Sequence, residues 1–137
     1  MRTALDTNVL SALWSEEPLA SEISRDLAQA LGEGGLVICA PVYAELLAHP
    51  SASQRFVDEF LLETGITVDF DLDEPVWRLS AKSFAAYAHR RRRSAGGSPK
   101  RLLVDFIVAS HASLRADRLM TLDASRYQHD FPRLATF

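Results

Sequence analysis

Four carboxylates in this chain, Asp6, Glu45, Asp105 and Asp123, occupy positions from which they can act together. Asp6 and Asp123 directly follow the short apolar segments Arg2-Thr3-Ala4-Leu5 and Leu119-Met120-Thr121-Leu122, at the carboxyl ends of two expected strands. Glu45 lies about one helical turn beyond Pro41, just after the apolar run Leu36-Val37-Ile38-Cys39. Asp105 interrupts Leu102-Leu103-Val104-Asp105-Phe106-Ile107-Val108-Ala109, where a buried acid needs a partner or a cation. A helix-surface aspartate, favoured by the positive end of the helix dipole, is the other reading of Asp105. In an open parallel sheet, ligand sites collect at the carboxyl ends of the strands, so acids distant in sequence can converge there. At an effective dielectric near 20, two like charges roughly 4 Å apart cost about 4 kcal/mol. A divalent cation relieves that repulsion, and an all-oxygen set suits Mg²⁺ or Mn²⁺. Four carboxylates with no positioned nucleophile therefore point to metal-assisted phosphodiester hydrolysis.

The elements that must position these acids alternate along the chain. Thr7 or Asn8 is expected to cap a short helix through Leu13 and Trp14, and a second helix should run from about Pro18 to Leu31, stopped by Gly32 and the Gly34-Gly35 pair. The apolar run 36–39 reads as a strand covered on both faces. Pro41 opens a helix carrying Val42, Glu45, Leu46 and Leu47, and Ser51 is the expected cap of the next, which Gly65 ends. Ile66-Thr67-Val68-Asp69-Phe70 alternates as a strand does. A long helix follows from about Glu74 to Arg91, with Val76, Leu79, Phe84 and Tyr87 inward. Ser98-Pro99 reads as the cap and first position of a helix reaching about Ala116, and a last short strand is expected near Leu134-Ala135-Thr136. Strands alternating with helices imply an α/β sandwich with a mostly parallel sheet, and no linker divides residues 1–137, so one domain is expected.

Bulk properties narrow the class. Of 137 residues, 47% are hydrophobic and 24% charged, which argues against disorder. A lone cysteine, Cys39, cannot form an internal disulfide and reads as a small buried hydrophobe. No segment reads as a signal peptide or membrane span, and the expected compartment is the cytoplasm. Net charge is -3, but residues 1–88 hold 5 basic and 14 acidic side chains whereas residues 89–137 hold 10 and 4. That asymmetry suits an anionic partner approaching the second half.

Taken together, the motifs resemble the PIN-domain ribonucleases, and among them the VapC-type toxins of toxin–antitoxin pairs. Asp6-Thr7-Asn8-Val9-Leu10 is similar to the family's opening aspartate motif, Tyr43-Ala44-Glu45-Leu46 to its helix-borne glutamate, and Asp105-Phe106-Ile107-Val108-Ala109 to its fifth-helix motif. Leu119-Met120-Thr121-Leu122-Asp123 matches the strand-then-acid motif, and Tyr127 to Pro132 the aromatic-to-proline tail. The resemblance implies a PIN-like three-layer sandwich in which Asp6, Glu45, Asp105 and Asp123 hold Mg²⁺ or Mn²⁺. It places Thr7 and Asn8 beside Asp6, and Thr121 beside Asp123, to orient carboxylates or water. Helix capping by Asn8 and an ordinary strand role for Thr121 remain open alternatives. The resemblance also implies RNA cleavage to a 5′-phosphate and a 3′-hydroxyl, a block of translation, a cognate antitoxin that covers the acidic crevice, and a homodimer.

The chain departs from many such relatives in its basic run. Arg90, Arg91, Arg92 and Arg93, followed by Gly96-Gly97 and then Lys100 and Arg101, would hold RNA phosphates near acids that otherwise repel them. A solvated helix end and an antitoxin-docking arm are the competing readings. Other chemistries fit less well. His49, His89, His111 and His129 lack zinc-ligand spacing. An aspartyl-phosphate phosphatase built on Asp6 would need an aspartate at position 8, which is Asn8, and a catalytic lysine, of which there are only Lys82 and Lys100. A PIN-type RNA-processing nuclease without a toxin role, and a non-catalytic RNA-binding module, are the nearest alternatives.

Overall fold

A computed structural model describes residues 1–16, 18–94 and 100–137. Its elements, in chain order, are β1 (Thr3–Leu5), α1 (Thr7–Trp14), α2 (Ala20–Glu33), β2 (Leu36–Cys39), α3 (Ala40–Leu46), α4 (Gln54–Thr64), β3 (Ile66–Asp69), α5 (Glu74–Arg93), α6 (Leu103–Arg115), β4 (Arg118–Met120) and α7 (Ser125–Gln128). The strands form a parallel sheet in the order β3-β2-β1-β4, flanked by helices. Every residue of β1 and β2 is buried, as central strands covered on both faces require.

The α/β expectation holds, and the departures have local causes. Asp6, rather than Thr7 or Asn8, caps α1. The second helix begins at Ala20, not Pro18, and runs through Gly32 before Gly34 ends it. A Cβ on Gly34 would fall 1.8 Å from the Met1 carbonyl oxygen, so only glycine lets the N-terminus lie across this corner. Ser53, not Ser51, caps α4, its hydroxyl accepting from the Phe56 N–H at 3.1 Å. Gly65 closes that helix in the left-handed region at φ 72°. The expected cap and first position at Ser98 and Pro99, and the Gly96-Gly97 pair, lie outside the described residues; α6 itself starts at Leu103. The strand expected at 134–136 is reduced to a single bridge between Leu119 and Thr136.

One core unites the layers. Leu5, Val9, Leu10, Val37, Ile38, Val42, Leu46, Phe106, Ala109 and Leu119 are all buried within it. Cys39 joins them, and burial pushes its thiol pKa up to about 11, which leaves it a protonated packing residue. Trp14 packs edge-on to Phe56 and Phe60, whereas Trp77 remains largely exposed. Among the described residues no helix is long and apolar enough to cross a membrane.

Candidate active site

The parallel register itself brings Asp6 and Thr121 together. Leu5 pairs with Met120, and the Asp6 N–H continues that ladder onto the Met120 carbonyl at 3.0 Å. One residue further on, the Thr121 hydroxyl donates to Asp6 Oδ2 at 2.9 Å. Asp6 Oδ1 meanwhile accepts from the Thr7 N–H at 2.8 Å, capping α1. The strand therefore stops at Met120, short of the expected Leu122, because Thr121 and Leu122 bond to side chains instead of the ladder.

Freed from capping, Thr7 and Asn8 reach outward. Thr7 Oγ1 donates to Glu45 Oε1 at 2.7 Å, which ties the exposed glutamate on α3 to the start of α1. Val42 and Leu46 anchor α3 in the core, one turn apart, and leave Glu45 on the flank facing Thr7. Asn8 Oδ1 accepts from the Leu122 N–H at 3.1 Å, and its amide donates to Thr121 Oγ1 at 3.3 Å. The Asp123 N–H also donates to Thr121 Oγ1, at 3.2 Å. A threonine hydroxyl offers one donor and two acceptor lone pairs, and here all three are used. Neither Asn8 as a cap nor Thr121 as an ordinary strand residue describes this arrangement.

Asp105 is half-buried. It sits in the first turn of α6, where Oδ2 accepts from the Leu102 N–H at 3.3 Å. Its other oxygen, Oδ1, faces Arg126 Nη1 at 3.6 Å. Asp123 completes the group, with Oδ1 accepting from Ser125 Oγ at 2.9 Å and Oδ2 lying 3.5 Å from Arg126 Nε.

Tyr127 is the residue that sequence reasoning left without a role. Its hydroxyl, buried on α7, donates to Asp6 Oδ2 at 2.7 Å. The position four residues after Asp123 was visible as an aromatic, but nothing in the pattern marked its hydroxyl. Burial, more than the adjacent Asp6 charge, raises the Tyr127 pKa, so the phenol stays a donor. Asp6 is itself 6% exposed, and burial holds its carboxyl pKa above the ordinary range. The Tyr127, Thr121 and Thr7 hydrogen bonds pull it back down, and the Asp105 charge pushes it up.

Among the described residues no group of three or more Asp, Glu, His or Cys side chains is gathered tightly enough to form a ready-made metal cage. The acids are instead joined through Thr7, Thr121 and Arg126. Their chemistry still suits a hard cation. All the donors are oxygens, Asp6 is buried with no ion-pair partner among the described residues, and Arg126 sits as a cation between Asp105 and Asp123. Mg²⁺ keeps several of its waters and needs only one or two carboxylates, so an open set fits it.

The basic run is less uniform than its sequence suggests. Arg90 is paired with Asp130, whose side chain is 5% exposed, and lies 6.0 Å from the Tyr87 ring. Arg92 contacts His89, and Arg91 is half-buried. Arg93 and Lys100 are exposed. Arg101 lines a crevice with Asp105, Arg126 and Tyr127, and its N–H donates to the Tyr87 hydroxyl at 2.7 Å.

Known proteins place this geometry. The family model described as the PIN domain matches residues 3–132. VapBC-1 from nontypeable Haemophilus influenzae contains a similar chain at 26% identity and TM-score 0.69, with 100% of this chain and 97% of that one covered. VapBC2 from Rickettsia felis, bound to a promoter DNA fragment, contains another with the same fold at TM-score 0.72 and 19% identity, covering 100% and 98%. Comparison with curated proteins gave no match. A parallel sheet in the order β3-β2-β1-β4, acids brought to its carboxyl edge and a matching model over nearly the full length make this chain a member of the PIN-domain family of nucleases.

Proposed function

We propose that the chain is a divalent-metal-dependent endoribonuclease whose site comprises Asp6, Glu45, Asp105 and Asp123. The observation that carries this reading is the Thr121 hydroxyl, bonded at once to Asp6, Asn8 and the Asp123 backbone at the carboxyl edge of the sheet. This hydroxyl couples the Asp6 carboxylate to the backbone that carries Asp123, which fits two acids sharing one site. Mg²⁺ or Mn²⁺ held by Asp6, Asp105, Asp123 and Glu45 would lower the pKa of a water and polarise a phosphoryl oxygen. Thr7, Thr121 and Tyr127 fix the carboxylates in place, and Asn8 fixes the loop that carries Asp123. Arg91, Arg92, Arg93, Lys100 and Arg101 supply positive charge for RNA phosphates, and Arg90 is paired with Asp130. Cleavage of an RNA with Mg²⁺ or Mn²⁺, and its loss on chelation or in Asp6→Asn, is the expected result. Full activity in Asp6→Asn would end the assignment.

The biological setting we infer is that of a VapC-type toxin in the cytoplasm: a homodimer that blocks translation until a cognate antitoxin covers the site. Full-length likeness to a VapBC chain at 26% identity supports it. So does an apolar cleft of about 320 Å³, lined by Leu13, Leu27, Leu31, Phe60 and Ile66, which offers a partner helix a seat. Expression of this chain alone should arrest growth, with rescue by the product of an adjacent reading frame. Harmless overexpression with no such frame favours a PIN-type RNA-processing nuclease.

A further inference from the structure

Arg126 has no place in the reading above, yet among the described residues it is the cation paired with two of the four acids. It stands on α7 between Asp123, three residues earlier, and Tyr127, whose hydroxyl holds Asp6. Its Nη1 lies 3.6 Å from Asp105 Oδ1 and its Nε 3.5 Å from Asp123 Oδ2. Both distances exceed a normal N–H···O hydrogen bond, and the side chain is 43% exposed. The guanidinium is thus held by charge alone, between carboxylates that arrive from different elements. Pairs of this kind are weak and solvent-screened, and a doubly charged ion outcompetes them.

We propose that Arg126 is a built-in counter-ion of the acid site, which bridges Asp105 and Asp123 when no divalent ion is bound and yields them when one binds. The inference rests on the metal reading of the site. It follows that the acids are divided between an arginine-engaged state and a metal-competent state, and apparent metal affinity is reduced by the fraction engaged. Damage to a merely structural residue weakens metal binding. Removing a competitor strengthens it.

Mn²⁺ titration by calorimetry, without RNA, separates these cases. Arg126→Gln should bind Mn²⁺ about two- to fivefold more tightly than the unaltered chain, the range that weak ion pairs allow. Arg126→Lys, which keeps the charge but not the planar fork, should fall between the two. Arg101→Gln, which removes a charge from the same crevice without breaking the bridge, should change the affinity less than Arg126→Gln. Unchanged or weaker Mn²⁺ binding in Arg126→Gln overturns the proposal while leaving the metal reading intact, as does an equal gain in Arg101→Gln. If neither the unaltered chain nor Arg126→Gln binds Mn²⁺, the metal reading falls and takes the proposal with it.

Discussion

The carboxyl edge of the sheet and the arginine-rich end of α5 both concentrate charge, and they are built in opposite ways. At the sheet edge, Asp6 accepts three hydrogen bonds and Thr121 makes three, so groups from the end of β1, α1, α7 and the segment after β4 are mutually fixed. At the end of α5, Arg90 is anchored by Asp130 while Arg92 and Arg93 extend into solvent from one turn of helix. Chemistry requires atoms held in place. Attraction of a polyanion requires only charge of the right sign at the right distance. The two regions therefore differ in how far a substitution should be felt.

Asp6→Asn should produce the largest effect, loss of RNA cleavage to background with the fold retained, measured on purified protein beside its circular dichroism. Tyr127→Phe comes next. It deletes one donor to a buried carboxylate, which should lower stability by about 1.5–3 kcal/mol in urea unfolding. The same change should lower cleavage by roughly 10- to 100-fold, the usual cost of losing a group that orients a metal ligand. A Tyr127→Phe protein with unaltered activity would show that the sheet edge is less tightly coupled than its bonds suggest.

Substitutions in the arginine region should be gentler and of a different kind. Arg92→Gln with Arg93→Gln should raise KM for RNA without changing kcat. It should also flatten the salt dependence of single-strand binding, the slope falling by about 0.7 for each phosphate that is no longer neutralised. A fall in kcat would mean that these side chains position the reacting phosphate rather than attract the strand.

A smaller, global effect is expected from His111, buried on α6 away from both regions. Its Nε2 lies 3.1 Å from Asp69 Oδ2 at the end of β3. Burial, the largest influence, together with Arg2 and Arg115, lowers its pKa, and Asp69 only partly restores it. The unfolded chain thus takes up a proton before the folded one does. Stability is full above the ordinary histidine range and falls as pH drops through the depressed folded value. Urea midpoints between about pH 7.5 and 5 should show that decline, and His111→Gln should flatten it.

Much of this was legible from local pattern. The continuous apolar run at 36–39 specifies a buried strand whatever surrounds it, because a segment with no polar face must be covered on both sides, and the strand expected over 119–122 is present over Arg118–Met120. Asp105 announced itself by interrupting an apolar run, and it lies in the first turn of α6, accepting from the Leu102 N–H and facing Arg126. Helix starts were harder to read, because Ser51 and Ser53 are chemically equivalent caps and only the path from α3 chooses between them. The arginine run was legible as charge, but its pairing was not, since Asp130 lies 40 residues away.

By itself, then, the order of residues indicated neither the short helix α7 nor the reduction of segment 134–136 to one bridge, but it did indicate most of the strands and helices, the acids at their ends and a mostly parallel sheet. Those properties depend on contacts within a few residues and on the two periodicities of the backbone. Only the tertiary structure decided that Thr121 would serve Asp6, that Tyr127 would be its second side-chain donor, and that Arg126 would stand between Asp105 and Asp123. Each of these depends on strand register or on a helix docking angle. Such quantities are set by how the whole core packs, and no local pattern encodes them.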